Sequence, residues 1–379
     1  MVALISEARA SVVLEFYLVR PGEPAATVLA ALVQAARRGV PVRVLYDAYG
    51  SEGLPADFFE PLRAAGGAAR LFSPARRLRL AFRDHRKLLV CDGRRALVGG
   101  INIGPEYRGD GVRRGWFDLA LQIDGPIARQ LAASFAAMYA LAPMNAAALR
   151  QFQRLRRAAL APHEPPPPQP APPPQPAPPL QAAPPASPVR LLMTGPGWPA
   201  GRLSHELRTD LTRARDVRCI AGYFLPPARI RRALRRCARG GGQVQLLLAG
   251  RSDVPVARYA AEHLYGRMLA GGARLYEYQP QILHAKLIVL DDTVYVGSCN
   301  LDRRSLNINF ELLLRLEWPE LAAQARALFA AALVHSVPVP AAAWRARRHW
   351  WQRWRSRAAY WLLTRIDPLL ARRRLRTLG

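Results

Sequence analysis

Residues 85–92 read His-Arg-Lys-Leu-Leu-Val-Cys-Asp and are followed by Gly99-Gly100-Ile101-Asn102. Residues 284–291 read His-Ala-Lys-Leu-Ile-Val-Leu-Asp and are followed by Gly297-Ser298-Cys299-Asn300. Both are HxK-x4-D with G[GS]xN behind. The apolar run between Lys and Asp reads as a buried strand. In an extended segment residues i and i+2 share a face, so each His projects beside its Lys. Asp92-Gly93 and Asp291-Asp292 are turn formers that send the chain back as an antiparallel strand. The Gly-rich end then permits close backbone approach and sets Asn102 or Asn300 beside the same pair.

Working outward, the flanks of the two motifs repeat as well. Ala8-Arg9, Val12-Val13-Leu14 and Tyr17-Leu18 match Ala214-Arg215, Val217, Cys219-Ile220 and Tyr223-Phe224 at an offset of 206. Helix-period stretches around Ala31-Leu32 and Ala233-Leu234 feed short strands at 42–46 and 244–248. This βαβ rhythm predicts an α/β fold of two similar lobes, each a mixed, mostly parallel sheet flanked by helices. The active site is expected at the pseudo-two-fold interface between them. Between the lobes, residues 162–188 hold 15 of the 34 prolines and almost no charge, a composition suited to an extended spacer. The expected domains are 1–158, a linker at 159–188, 189–340, and a tail at 341–379. The second lobe opens with an extra strand at 189–193. Its counterpart in the first lobe would fall 13 to 17 residues before Met1, which favours a start upstream.

The chain carries 55 basic and 27 acidic residues, a net charge of +28. Such an excess calls for an anionic partner, either nucleic acid or a phospholipid surface. Only two of the basic residues, Lys87 and Lys286, are lysine; the other 53 are arginine. Both lysines sit at the same place in the two motifs, marking positions where arginine does not substitute. Cys91, Cys219, Cys237 and Cys299 show no metal-ligand spacing, so neither a zinc site nor a disulfide framework is expected. No signal peptide is visible. The apolar run 131–149 is long enough to span a bilayer, but its alanines, Pro143 and Asn145 favour a packed helix.

Two such patches brought together set two imidazoles across a site lined by two ammonium groups and two amides. That constellation suits a phosphodiester. Lys and Asn hold non-bridging oxygens, one imidazole attacks phosphorus, and the other protonates the leaving alkoxide. Neither metal nor cofactor is expected.

The duplicated motif resembles the signature of the phospholipase D superfamily. The likeness is nearer still to bacterial cardiolipin synthases of the short B branch. It is carried by Arg38-Gly39-Val40, Asp47-x-x-Gly50-Ser51, Trp116-Phe117-Asp118, Gly125-Pro126, Ser252-Asp253-Val254-Pro255, Leu275-Tyr276-Glu277-Tyr278, and Gly297 through Ser305 to Asn309-Phe310-Glu311. It covers about residues 5–335 apart from the linker. The resemblance implies a two-step exchange through a phosphatidyl-histidine. His85 would be the nucleophile and His284 the general acid and base, completing the sets His85, Lys87, Asp92 and His284, Lys286, Asp291. Asp92 and Asp291 are expected to act by stabilising the turn. It further implies phosphate binding by Asn102, Asn300 and Ser298, and orientation of each His by Asp118 and Glu311. The implied donor and acceptor are both phosphatidylglycerol, giving cardiolipin and glycerol at the cytoplasmic side of a bacterial inner membrane. The same motif pair also serves hydrolytic phospholipases, phosphatidylserine synthases and metal-independent endonucleases.

Residues 344–379 hold Trp344, Trp350, Trp351, Trp354 and Trp361 and 11 arginines against one acid, Asp367. Tryptophan with arginine is the chemistry of a lipid interface, so this tail is the expected membrane contact. A basic helix packed back on the second lobe is the other placement. The aromatic residues gather in this tail instead of along a groove, which argues against nucleic acid as the partner.

Overall fold

Two sheets, each built around one of the motif strands, stand side by side in the computed structural model. It describes residues 1–72, 82–142, 147–148, 150–152, 154–155, 189–196, 198–199, 201–346 and 348–366. The Pro-rich linker and the last 13 residues of the tail lie outside the described residues.

In the first half the elements run α1 (Val2–Glu7), β1 (Val12–Phe16), α2 (Glu23–Arg37), β2 (Val42–Asp47), α3 (Glu60–Ala64), β3 (Ala68–Phe72), β4 (Lys87–Cys91), β5 (Arg95–Gly99), β6 (Ala120–Asp124) and α4 (Ile127–Leu141). The second half runs β7 (Val189–Thr194), α5 (Arg202–Arg213), β8 (Asp216–Ala221), α6 (Ala228–Arg239), β9 (Gln243–Ala249), α7 (Pro255–Leu269), β10 (Arg274–Tyr278), β11 (Lys286–Leu290), β12 (Thr293–Gly297), α8 (Arg303–Asn307), β13 (Glu311–Glu317), α9 (Pro319–Val334) and β14 (Ser336–Pro338). The tail adds α10 (Ala341–Ala346) and α11 (Trp350–Trp361), which ends in a π turn at Leu362–Ile366.

The strand orders are β3-β2-β1-β4-β5-β6 and β14-β10-β9-β8-β11-β12-β13-β7. The sheets are mixed, as expected, but they are not mostly parallel. Among the described strands, parallel pairing is confined to β1–β2–β3 and β8–β9–β10, and every other strand-to-strand pairing is antiparallel. Parallel neighbours need a crossover such as α2 or α6; the motif strands instead return through tight turns. Asp92 and Gly93 adopt φ of 58° and 59°, and Asp291 adopts 49°, the left-handed conformation such a hairpin turn requires.

Strand register also corrects the offset between the halves. Val12 pairs with Cys91 and Val217 pairs with Leu290. Cys91 and Leu290 hold the same motif place, so Val12 matches Val217 and Tyr17 matches Gly222. The extra residue of the first half lies in the loop before β1.

β4 and β11 are buried along their whole length at the centres of their sheets. One apolar cluster runs through both halves, joining Leu88, Val90 and Phe135 to Val296, Leu312, Leu314 and Phe329. Phe310 meets Phe72 and Phe82 edge-on across the boundary, with ring centroids 5.7 Å apart in both cases. Burying such a side chain contributes about 2–3 kcal/mol, so apolar burial helps set the relation of the sheets. The apolar run at 131–149 enters α4, whose face Leu131, Phe135 and Met138 is buried in this cluster. Among the described residues no helix is long and apolar enough to cross a membrane.

Candidate active site

Short main-chain bridges between the halves precede each motif. The His85 N–H donates to Phe310 O at 2.9 Å, and Phe310 N–H donates to Arg83 O at 2.9 Å. Symmetrically, His284 N–H donates to Phe117 O at 2.8 Å, and Phe117 N–H donates to Ile282 O at 2.9 Å. In each pair, the residue after the bridge is the acid of one half lying beside the histidine of the other.

The side chains complete that exchange. His85 Nδ1 lies 3.0 Å from Glu311 Oε2, and His284 Nδ1 lies 2.6 Å from Asp118 Oδ2. Where Nδ1–H is given to the carboxylate, the lone pair of the imidazole sits on Nε2. Both histidines, both lysines and both acids are buried. Lys87 Nζ donates to the His85 carbonyl at 2.6 Å and stands 5.0 Å from the Tyr17 ring. Lys286 Nζ donates to the His284 carbonyl and lies 2.8 Å from its Nδ1.

Burial dominates the electrostatics. It pushes Lys87 down to about 7 and Lys286 to about 8, against the pull of Glu311 and Asp118. His85 is held well below its ordinary value by burial and then by Lys87 and Lys286. His284 is lowered by burial and Lys286, with Asp118 working the other way. The two acids differ. Burial raises Glu311 to about 8, more than Lys87, Ser298 and Ser305 offset. For Asp118, Lys286 and His284 outweigh the burial penalty, and the carboxyl stays below its ordinary value.

Asn102 accepts from Leu18 N–H at 3.3 Å and donates to the Tyr107 hydroxyl at 2.7 Å. Asn300 is buried, and its Oδ1 has no hydrogen-bond partner. Ser298 departs from the phosphate-binding expectation. Its hydroxyl donates to Glu311 Oε2 at 2.6 Å and accepts from Leu312 N–H at 3.0 Å, so here it holds the acid. Asp92 and Asp291 are set apart from the histidines at the far end of their strands. Asp92 Oδ1 accepts from the N–H groups of Arg9, Ala10 and Ser11, and Asp291 accepts from Arg215 and Asp216.

Aromatic walls complete the cleft, and the motif does not announce them. Tyr17 lies 4.7 Å from the His85 ring, while Tyr107 and Trp116 lie 5.7 and 5.5 Å from His284. Tyr223 adds an edge contact to His284 at 6.4 Å. Trp116 stood two residues before Asp118, which was its one sequence signal.

The arrangement can perform nucleophilic attack on a phosphodiester with acid assistance to the leaving group. A family model described as cardiolipin synthase, PLD-like domain, matches residues 1–139 and 207–333. The cardiolipin synthase of Geobacillus kaustophilus is 33% identical over 82% of this chain, which spans 59% of that relative. Cardiolipin synthase B of Escherichia coli K12 is 31% identical over 81% of this chain and 70% of its own length. Among solved structures, the phosphatidylserine synthase of Haemophilus influenzae superposes with a TM-score of 0.69 at 14% identity, covering 98% of this chain and 91% of that one. That likeness is one of fold. From the family match and these identities, the chain belongs to the cardiolipin synthase family of phospholipase D-like proteins.

Proposed function

We propose that the protein is a phosphatidyltransferase that converts two phosphatidylglycerol molecules into cardiolipin and glycerol. The observation that carries this reading is the crossed pairing of the two histidines with acids of the opposite halves, each beside a buried lysine. His85 Nε2 attacks phosphorus as the P–O bond to the departing glycerol breaks, and His284 gives that oxygen its proton. The hydroxyl of a second phosphatidylglycerol then yields its proton to His284 and attacks phosphorus, breaking the P–N bond and freeing His85. Lys87, Lys286, Asn102 and Asn300 hold the non-bridging oxygens, whose charge grows in each transition state.

The assignment of roles follows the acids. Asp118, held ionised, pulls His284 toward the imidazolium that a general acid requires, against the burial and Lys286 that lower it. Glu311 releases its proton less readily, and His85 beside it stays neutral, as a nucleophile requires. Membrane contact is assigned to α11. It docks on α7 through buried Ser356 and Ala359, and presents Trp350, Trp354 and Trp361 outward at 80%, 69% and 58% exposure. A helix fixed by its small face with tryptophans outside is suited to a bilayer interface, consistent with peripheral attachment at the cytoplasmic face of a bacterial membrane.

Incubation with phosphatidylglycerol vesicles, read by lipid mass spectrometry, tests the reading. Cardiolipin with glycerol is expected. Phosphatidic acid alone would mean a hydrolase, and nicked DNA without a lipid product would mean a nuclease.

A further inference from the structure

Between α11 and the body of the second half lies an open cleft of about 390 Å³, lined by none of the residues of the two motifs. Arg258 of α7, Arg348 just before α11 and Arg355 within α11 converge on it, together with Glu262 and Glu277. Not every guanidinium donor there is met by an acceptor. Arg348 donates to the Glu262 carboxylate and carbonyl, both at 3.4 Å, and to Gln352 O at 3.1 Å, while Arg258 Nε stands 3.7 Å from the Glu262 carboxylate, beyond hydrogen-bond reach. Glu277 interacts with the charge of Arg258 and with the Tyr265 hydroxyl. The Nε atoms of Arg258 and Arg355 are buried and lack a hydrogen-bond partner. A buried donor without a partner is costly, and arginine forks match phosphate oxygens.

The surroundings identify the anion. Arg355 lies between the Tyr259 ring at 3.7 Å and the Trp351 ring at 5.1 Å. Trp351 is 46% exposed and joins the outward tryptophans of α11 with Leu362. Arg355 thus flanks a helix face suited to the bilayer interface, where arginine pairs with lipid phosphates. We propose that this cleft is a second, non-catalytic site for the phosphodiester headgroup of an anionic phospholipid, its acyl chains lying along the tryptophan face. The proposal rests on the reading of α11 as the membrane contact, and its site is separate from the two histidines.

The test uses the full chain with vesicles of phosphatidylcholine alone or with added phosphatidylglycerol, and measures turnover separately on detergent-dispersed phosphatidylglycerol. The paired change Arg258→Gln with Arg355→Gln is expected to weaken binding to phosphatidylglycerol vesicles about tenfold. Binding to phosphatidylcholine and detergent turnover should be retained. Glu277→Gln removes a negative charge from the cleft wall at constant size and should tighten phosphatidylglycerol binding about threefold. Wild-type affinity in the arginine variant overturns the site. So does an equal loss for both vesicle compositions, which would mean an undocked tail, or a weakened Glu277→Gln. Trp350→Ala with Trp354→Ala tests the underlying reading on its own, since loss of binding to both compositions is expected there. Unchanged binding in that variant would remove the membrane face.

Discussion

The two ends of the active site share a motif and differ in what stands behind it. Behind His85 is Glu311, backed by the Ser298 hydroxyl. Behind His284 is Asp118, seated on Gly100, where a Cβ would come within 2.3 Å of the carboxylate. Gly100 and Ser298 occupy the same motif position, so the longer acid comes with a hydroxyl and the shorter acid with bare backbone. The strand faces differ too. Arg86 is buried against Glu15 at 3.1 Å and Ser134 at 2.7 Å, whereas the matching positions Ala285 and Ile220 belong to the apolar core. Duplication made the histidines equivalent in geometry, and the surrounding substitutions separate them electrostatically.

The sharpest way to break that comparison is to remove each histidine and change the leaving group. His85→Ala and His284→Ala are each expected to lower cardiolipin synthesis at least about 10⁴-fold. A phosphatidyl ester of p-nitrophenol needs no acid. On it His284→Ala should release one burst equivalent of nitrophenol and His85→Ala none. A burst in the His85 variant would reverse the roles.

Next in size are the acids. Asp118→Asn removes a carboxylate held ionised beside the proposed general acid and should cost about 10²–10³-fold in kcat. Glu311→Gln removes an acid that burial already biases toward its neutral form, and should cost nearer tenfold. Equal losses in stopped-flow or steady-state kcat would erase the proposed difference between the ends.

Lys87→Arg keeps the charge but asks a buried point-charge site to hold a planar fork, and should lower turnover about fiftyfold. The pH profile adds a sign. Lys87 is depressed to about 7, so the free enzyme loses this cation as pH rises through that value. Bound phosphate moves the loss to higher pH. In Lys87→Arg the residual activity should lose the fall that Lys87 sets, because arginine stays charged, and keep the one set by Lys286, which is depressed to about 8.

How much of this was legible in the sequence depends on the range of the interaction. The paired strands, the turns and the facing of His with Lys follow from local periodicity, and duplication implied a site between lobes. The crossing of acids between halves was not legible. Asp118 and Glu311 each follow the asparagine of their own half, and only the bridges at Phe117 and Phe310 send them to the other. The contact of Ser298 with Glu311 was not legible either, since that partner arrives from the next strand. The mostly parallel sheet was an over-extension of the βαβ rhythm past the point where tight turns replace crossover helices. For Tyr107, the contact with His284 comes from the opposite half, and no spacing encodes it.

The smallest predicted effect separates the turn aspartates, which share a motif place but not a load. Asp92 collects three backbone N–H groups at 2.7–3.2 Å, and Asp291 collects two at 2.8–3.2 Å. Burial works against the Asp92 charge, but the N–H groups of Ser11, Ala10 and Arg9 outweigh it and hold the carboxyl below its ordinary value. Asparagine tolerates the left-handed turn and keeps an acceptor, so the substitution isolates the charge. Asp92→Asn should cost about 1 kcal/mol in urea melts at pH 7, and Asp291→Asn about half that, with kcat per folded molecule unchanged. Because the folded-state value is depressed, the wild-type advantage at Asp92 is present above about pH 4 and disappears as pH falls through the folded value. A kcat loss at constant stability would move these residues from the turn into the chemistry.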